Sequence, residues 1–243
     1  MKIKGVVFED FVNYKKPSMY LIFPNCSFKC DKECGRHVCQ NSTLASEPVI
    51  EIDKDELIEN YLSNPITESV VMAGLEPFDS QLDLLPFVDA LRRQYHCNDD
   101  VVIYTGYTEQ ELQEGNWGNG SKENQRQYWL SLISYGNIII KYGRFRPDEP
   151  SHYDEVLGVN LASSNQYAKK YPLNIKTIQN PDKELVELIK EKIKSNDGYC
   201  PCALTKEEDT KCMCKDFRDK INSKVLGECH CGLYINVKGE SNE

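Results

Sequence analysis

The 243-residue sequence has no run approaching the roughly 18 consecutive apolar residues that a membrane span needs, so no transmembrane helix is expected. Met1–Asp10 lacks the apolar core of a secretory signal, which points to a cytoplasmic protein. Positive charge is also short: 29 Lys and Arg stand against 38 Asp and Glu, for a net charge of −9. Neutralising phosphates requires a basic face, so a general nucleic-acid binder is excluded and partners should be proteins or small molecules. Structural disulfides are not expected in a reducing compartment, and the 11 cysteines therefore call for metal or redox chemistry.

What is present is cysteine in two clusters. Cys26, Cys30, Cys34 and Cys39 lie near the start, and Cys200, Cys202, Cys212, Cys214, Cys229 and Cys231 near the end, with Cys97 apart from both. At 40% hydrophobic, the chain can bury one medium core and a smaller one. The composition places the boundary near Asn180–Lys183, giving domains 1–180 and 181–243.

Short β-branched and aromatic runs at Val6–Phe11 and Met19–Phe23 read as strands, the second leading into the first cysteine cluster. Asp53–Leu62 has helical apolar spacing behind an N-cap Asp53, and Ser69–Ala73 is a buried strand ending at Gly74. The order then repeats, with a helix over Leu82–Tyr95, a strand over Val101–Thr105, a short helix over Thr108–Gly115 and a strand over Gly136–Lys141. Gly115–Gln127 reads as a surface loop and Glu184–Lys194 as an amphipathic helix. Alternating helices and apolar strands predict an α/β fold on a parallel sheet, with ligand sites beyond the C-terminal strand ends. Cys26, the Gly74–Pro77 turn and Thr105–Tyr107 all follow such ends.

Four thiols in one loop can wrap a soft metal centre, and His37 is a further candidate ligand. Spacing alone leaves structural zinc and an iron–sulfur cluster both open. The surrounding motifs carry a resemblance. Cys26-x3-Cys30 after a strand, Cys39-Gln40-Asn41, the Gly74-Leu75-Glu76-Pro77 turn, Tyr104-Thr-Gly106-Tyr107, Gly143-Arg-Phe145 and Ser163-Ser-Asn165-Gln166 occur in the order found in the radical S-adenosylmethionine family. More narrowly, residues 1 to about 170 resemble the activating enzymes of anaerobic (class III) ribonucleotide reductase. Two departures stand out: eight residues separate Cys30 from Cys39, more than in the family, and Leu75 replaces a turn glycine. Gln40 and Asn41 favour Cys39 over Cys34 as third ligand, with Asp31–Val38 as an insertion.

The resemblance implies a partial (β/α) barrel of radical SAM type. It implies a 4Fe-4S cluster held by Cys26, Cys30 and Cys39, whose open iron takes the amino and carboxylate groups of S-adenosylmethionine. Asn41, Gly74, Leu75, Glu76 and Pro77 would serve the cofactor, the turn approaching the methionine amino group. The radical generated from the cofactor would take a hydrogen from a backbone glycine of the reductase large subunit.

The C-terminal cluster is three Cys-x-Cys pairs. In extended chain, residues i and i+2 face one side, so each pair offers two thiols to one centre. Six thiols are two more than a 4Fe-4S cluster needs. Gly198-Tyr-Cys200-Pro-Cys202 and Gly227-Glu-Cys229-His230-Cys231-Gly-Leu resemble the catalytic subunit of ferredoxin-thioredoxin reductase, although the spacers of nine and fourteen residues between pairs differ from the family's. That resemblance implies a small iron–sulfur domain in which Cys200, Cys212, Cys214 and Cys229 hold a second cluster. Cys202 and Cys231 would form the redox disulfide, and His230 would exchange its proton.

Together the two resemblances imply an activase with a fused disulfide-reducing module. Implied partners are a low-potential donor such as ferredoxin or flavodoxin and a thioredoxin-like or glutaredoxin-like protein. Two other readings fit the residues: a radical S-adenosylmethionine enzyme acting on another protein or peptide with the tail as electron relay, and a zinc-stabilised interaction module.

Overall fold

The computed structural model describes residues 1–239. The chain divides into two units, Met1–Tyr171 and the residues from Pro172 onward.

In the first unit β1 (Lys2–Ile3) precedes β2 (Gly5–Asp10) and β3 (Ser18–Phe23), followed by α1 (Lys29–Cys34), β4 (Ile50–Glu51) and α2 (Lys54–Ser63). Then come β5 (Ser69–Gly74), α3 (Gln81–Asp89), β6 (Asp100–Tyr104), α4 (Glu109–Gln113), α5 (Lys122–Ser134) and β7 (Ile138–Tyr142). A hairpin of β8 (His152–Asp154) and β9 (Val159–Leu161) leads to β10 (Tyr167–Tyr171). Six strands form one sheet in the order β10-β7-β6-β5-β3-β2, its four central strands parallel and its edge strands β2 and β10 antiparallel to their neighbours. The sheet is open at both edges.

The central strands are near-continuous β-branched and apolar runs because both faces are covered. Val70, Met72, Val101, Ile103, Ile138 and Ile140 pack with Leu57, Ile58, Leu84, Phe87 and Leu132 of the helices. The alternate residues Val71, Val102 and Ile139 meet Tyr14, Leu157 and Leu161, so the segment carrying the hairpin covers the other face. Each such side chain contributes about 1.5–3 kcal/mol relative to exposure.

Local signals set the helix ends. Asp53 caps α2 by accepting from the Asp55 and Glu56 amides, as its position predicts. Thr108 and Glu111 form a reciprocal capping box on α4. The expected helix over Leu82–Tyr95 is α3 continued by a wider π turn at Ala90–Gln94.

Two expectations need correction. The polar stretch Gly115–Gln127 is a loop only as far as Ser121, which caps α5; the helix buries Gln125, Trp129 and Leu132, so its apolar signal lies beyond the glycines. The boundary falls at Tyr171 rather than near Asn180, because β11 (Ile175–Gln179) pairs with β13 (Tyr234–Lys238) of the second unit. That unit also holds α6 (Lys183–Ser195), α7 (Lys215–Asn222) and β12 (Gly227–Glu228), the last pairing with β13. Its small core is Val186, Ile189, Phe217, Cys229 and Leu233.

Arg92 is a buried strut in the first unit. Its guanidinium donates to the carbonyls of Cys97 at 2.8 Å, Asp99 at 2.7 Å, Gly136 at 3.3 Å and Asn137 at 3.4 Å. Arg92→Leu strands those acceptors and should lower the unit's unfolding free energy by about 2–4 kcal/mol. Fluorescence in urea reads this unit alone, since both tryptophans, Trp117 and Trp129, belong to it; a loss below about 1 kcal/mol would contradict the strut role.

Candidate functional site

Parallel register brings the strand ends level: Phe23 pairs with Gly74, Met72 with Ile103 and Tyr104 with Lys141. The loops leaving these ends surround a cavity of about 320 Å³. Cys26, Cys30 and Cys39 all line it, together with Asn41, Gly74, Leu75 and Glu76. Pro77 does not; it opens the buried turn Pro77–Ser80 next to the cavity wall. Cys34 ends α1 and lines a separate hollow with Glu33, Arg144 and Arg146, although Cys30 reaches both.

Each thiol has a local reason for its place. Cys26 leaves β3, and its sulfur accepts from the Phe28 amide at 3.2 Å. Cys30 sits in α1, which starts behind Phe28 at φ 51° and stops at Gly35. Cys39 is fixed by Asp31, whose Oδ1 accepts from the amides of Val38 and Cys39 at 2.8 Å each. His37 is 2.8 Å from Asp31 Oδ2 through Nδ1 and 3.1 Å from Ser42 Oγ through Nε2, so both its nitrogens are engaged outside the cavity. Asn41 ties the third cysteine to the turn by donating from Nδ2 to Gly74 O at 2.9 Å. Gly74 has φ 96°, and a Cβ there would lie 2.6 Å from Ile22 Cγ2 and 2.9 Å from Phe23 N, so no larger residue fits.

Glu76 locks the opposite wall. Its buried carboxylate accepts from Phe78 N at 3.1 Å, Thr105 Oγ1 at 2.8 Å and Gly106 N at 2.8 Å. Burial nonetheless pushes its pKa to about 7. Burial also lowers Lys141 to about 8, while its Nζ donates to Gly143 O at 2.9 Å. The later landmarks meet here: Gln166 Nε2 donates to Gly143 O at 3.2 Å and Asn165 Nδ2 to Arg144 O at 2.9 Å.

Burial raises the thiols of Cys26, to about 12, and of Cys30 and Cys39, so all three hold their protons in the metal-free chain. A metal centre replaces those protons and supplies the charge the thiolates require. Among the described residues, no three His, Cys, Asp or Glu side chains converge on a point that could hold a single ion. The three thiols instead line one cavity, and such soft donors suit an iron–sulfur cluster.

The C-terminal cysteines gather in the second unit. Cys200–Cys202, Cys212–Cys214 and Cys229–Cys231 lie outside the strands, in turns, bends and irregular chain. The first two pairs are clamped side by side, Cys200 N donating to Thr210 O at 2.8 Å and Cys212 N to Gly198 O at 3.0 Å. At the third, the Tyr234 amide donates to Cys229 Sγ at 3.1 Å, and Cys229 Sγ lies 3.5 Å from Cys231 Sγ. Cys212, Cys214 and Cys231 pack against the core that contains Cys229. Burial raises Cys231 to about 12, with the thiols of Cys229 and Cys200 reinforcing it; burial and Cys200 also raise Cys202. Six thiols on neighbouring loops of one small unit are the donor chemistry of a cluster with thiols to spare. Cys202 and His230 are exposed, Cys200 and Cys229 buried.

Two residues of the first site escaped sequence reasoning. Lys141 was readable as a lone cation inside Ile138–Tyr142, a charge no buried strand carries without cause. Asp31 left no signal, since its role depends on how the Asp31–Val38 segment folds back.

A family model described as "4Fe-4S single cluster domain" matches residues 17–166, and one described as "Ferredoxin thioredoxin reductase catalytic beta chain" matches residues 155–242. No curated protein and no solved structure matches the chain. The second model spans all six C-terminal cysteines and is consistent with oxidoreductase chemistry there. Because the first model covers more than half of the chain and encloses the three-thiol cavity, the protein belongs to the 4Fe-4S single cluster domain family.

Proposed function

We propose that the protein is a radical S-adenosylmethionine activase that installs a glycyl radical on the large subunit of an anaerobic ribonucleotide reductase. Its first unit would be a variant of the partial (β/α) barrel, and its second unit a cluster-linked disulfide reductase. The observation that carries the reading is that Cys26, Cys30 and Cys39 face one cavity with the Gly74–Glu76 turn. Cys26, Cys30 and Cys39 would hold a 4Fe-4S cluster there, which would supply an open iron for the cofactor and the electron for its reductive cleavage.

The chain's own residues bind, aim and exclude water. Leu75 lines the cavity and its amide donates to Phe23 O at 3.2 Å, which anchors the turn so that a main-chain carbonyl would meet the amino group of the cofactor. This explains how leucine is tolerated where the family has glycine: the contact is through the backbone. Asn41 holds Gly74 to the cysteine loop, and Glu76 holds the turn against Thr105 and Gly106, so neither wall can drift. A ferredoxin or flavodoxin would deliver the electron.

In the second unit Cys200, Cys212, Cys214 and Cys229 would hold the second cluster, leaving Cys202 and Cys231 as the redox pair. The exposure of Cys202 supports its being the thiol that a thioredoxin-like or glutaredoxin-like partner, or a disulfide on the reductase, can reach. His230 is likewise exposed, between Cys229 and Cys231, where it would serve the redox pair.

Cys39→Ser should abolish reductive cleavage of S-adenosylmethionine by the anaerobic protein, whereas Cys34→Ser should leave at least about half of it; product analysis by chromatography decides, and the reverse pattern would make Cys34 the third ligand. Cys202→Ser and Cys231→Ser should each abolish disulfide reduction while glycyl-radical formation with a protein donor such as ferredoxin or flavodoxin persists. Loss of the radical signal in those variants would instead mark the second unit as an electron relay to the first.

A further inference from the structure

Cys26 lines a second, larger hollow of about 620 Å³ besides the cofactor cavity. Its walls include the carboxamides of Asn25, Gln81, Asn116 and Asn119, and the bare main chain of Gly118 and Gly120. A carboxamide donates and accepts at once, matching what a peptide unit offers. The side chains of Gln81 and Asn119 have no hydrogen-bond partner among the described residues, and Asn25 donates only once, from Nδ2 to Ser80 Oγ at 3.0 Å.

The charges in the hollow are already engaged. Asp79 accepts from Tyr107 Oη at 2.6 Å and from Ser27 N at 2.7 Å, and Lys29 Nζ lies 4.5 Å from the Tyr107 ring centroid. Lys29 also pairs with Glu111 at 3.8 Å, and Asn116 Nδ2 donates to Glu114 Oε2 at 2.7 Å, so the groups left open to an uncharged main chain are the carboxamides of Gln81 and Asn119. The wall is rigid: Trp117 is buried between Phe78 at 5.1 Å and Tyr128 at 5.4 Å, both edge-on. Gly118 has φ 60°, a left-handed backbone conformation that favours glycine. At the margin Leu82 is 91% exposed, a large apolar side chain with nothing on it.

We propose that this groove holds an extended main-chain segment of the protein substrate, brought alongside Cys26 and hence alongside the first metal site, with Leu82 contacting a flanking apolar side chain. The proposal rests on the activase reading and gives it a substrate-docking surface built by the Trp117–Gly120 loop. A segment read through its backbone is the kind that can present a glycine, which has no side chain to recognise.

The test uses the anaerobically purified protein, the large subunit of an anaerobic ribonucleotide reductase as probe, and the variants Leu82→Asp and Asn119→Ala, both exposed positions where folding is not at risk. Affinity for the large subunit should fall about tenfold or more in Leu82→Asp and severalfold in Asn119→Ala, with a matching fall in the glycyl-radical signal. Cofactor cleavage by a chemical reductant without the large subunit should stay within about twofold of the parent, since neither side chain lines the first cavity. Unchanged affinity in both variants overturns the groove, as does an equal loss of cleavage and affinity, which would assign the hollow to cofactor binding. If the parent protein binds the large subunit but cleaves no cofactor, the activase reading fails while the groove stands on the affinity data.

Discussion

Four parallel strands that stop at one level leave four loops beside one another, and that register cannot slip by a residue without exchanging the side chains packed on the two faces. Val70, Met72, Val101, Ile103, Ile138 and Ile140 on one side and Val71, Val102 and Ile139 on the other fix it. Cys26, the Gly74–Glu76 turn, Thr105–Gly106 and Gly143 owe their shared cavity to this packing, since residues so far apart in sequence have no local means of meeting. The helices cover one face and the segment with the β8–β9 hairpin the other, so the cavity at the strand ends is backed by tightly packed apolar side chains.

Around that frame the polar groups act as braces. Glu76 spans from its own turn to the end of β6, Asn41 from the cysteine loop to Gly74, and Asp31 from α1 to Cys39. Burial keeps the three thiols protonated without metal, so metal uptake and proton release are coupled at this site. The second unit solves the same problem with less core, packing Cys212, Cys214, Cys229 and Cys231 with Phe217 and Leu233 and clamping the Cys200 and Cys212 loops through their backbones.

Strands and caps were legible because their signals are local: unbroken β-branched runs at β5 to β7 and the capping residues Asp53 and Thr108. The cysteine clusters and the strand-end turns were legible as motifs, and the cavity unites Cys26, Cys30, Cys39, Asn41, Gly74, Leu75 and Glu76. What was not legible depends on pairing at a distance. β10 is polar and joins the sheet only through β7, α5 hides its buried residues behind a polar first turn, and β11 reveals its allegiance only by pairing with β13. The turns holding the C-terminal pairs have no periodicity to read, and Asp31 becomes important only once Val38 and Cys39 return to it.

The claim on which the rest stands is that thiolate sulfur holds iron in both units. Elemental and labile-sulfide analysis of the protein purified and kept without oxygen tests it most directly: two clusters predict about eight irons per chain with equal sulfide and no stoichiometric zinc. One or two zinc ions per chain with no sulfide would contradict it and leave a zinc-stabilised interaction module in its place.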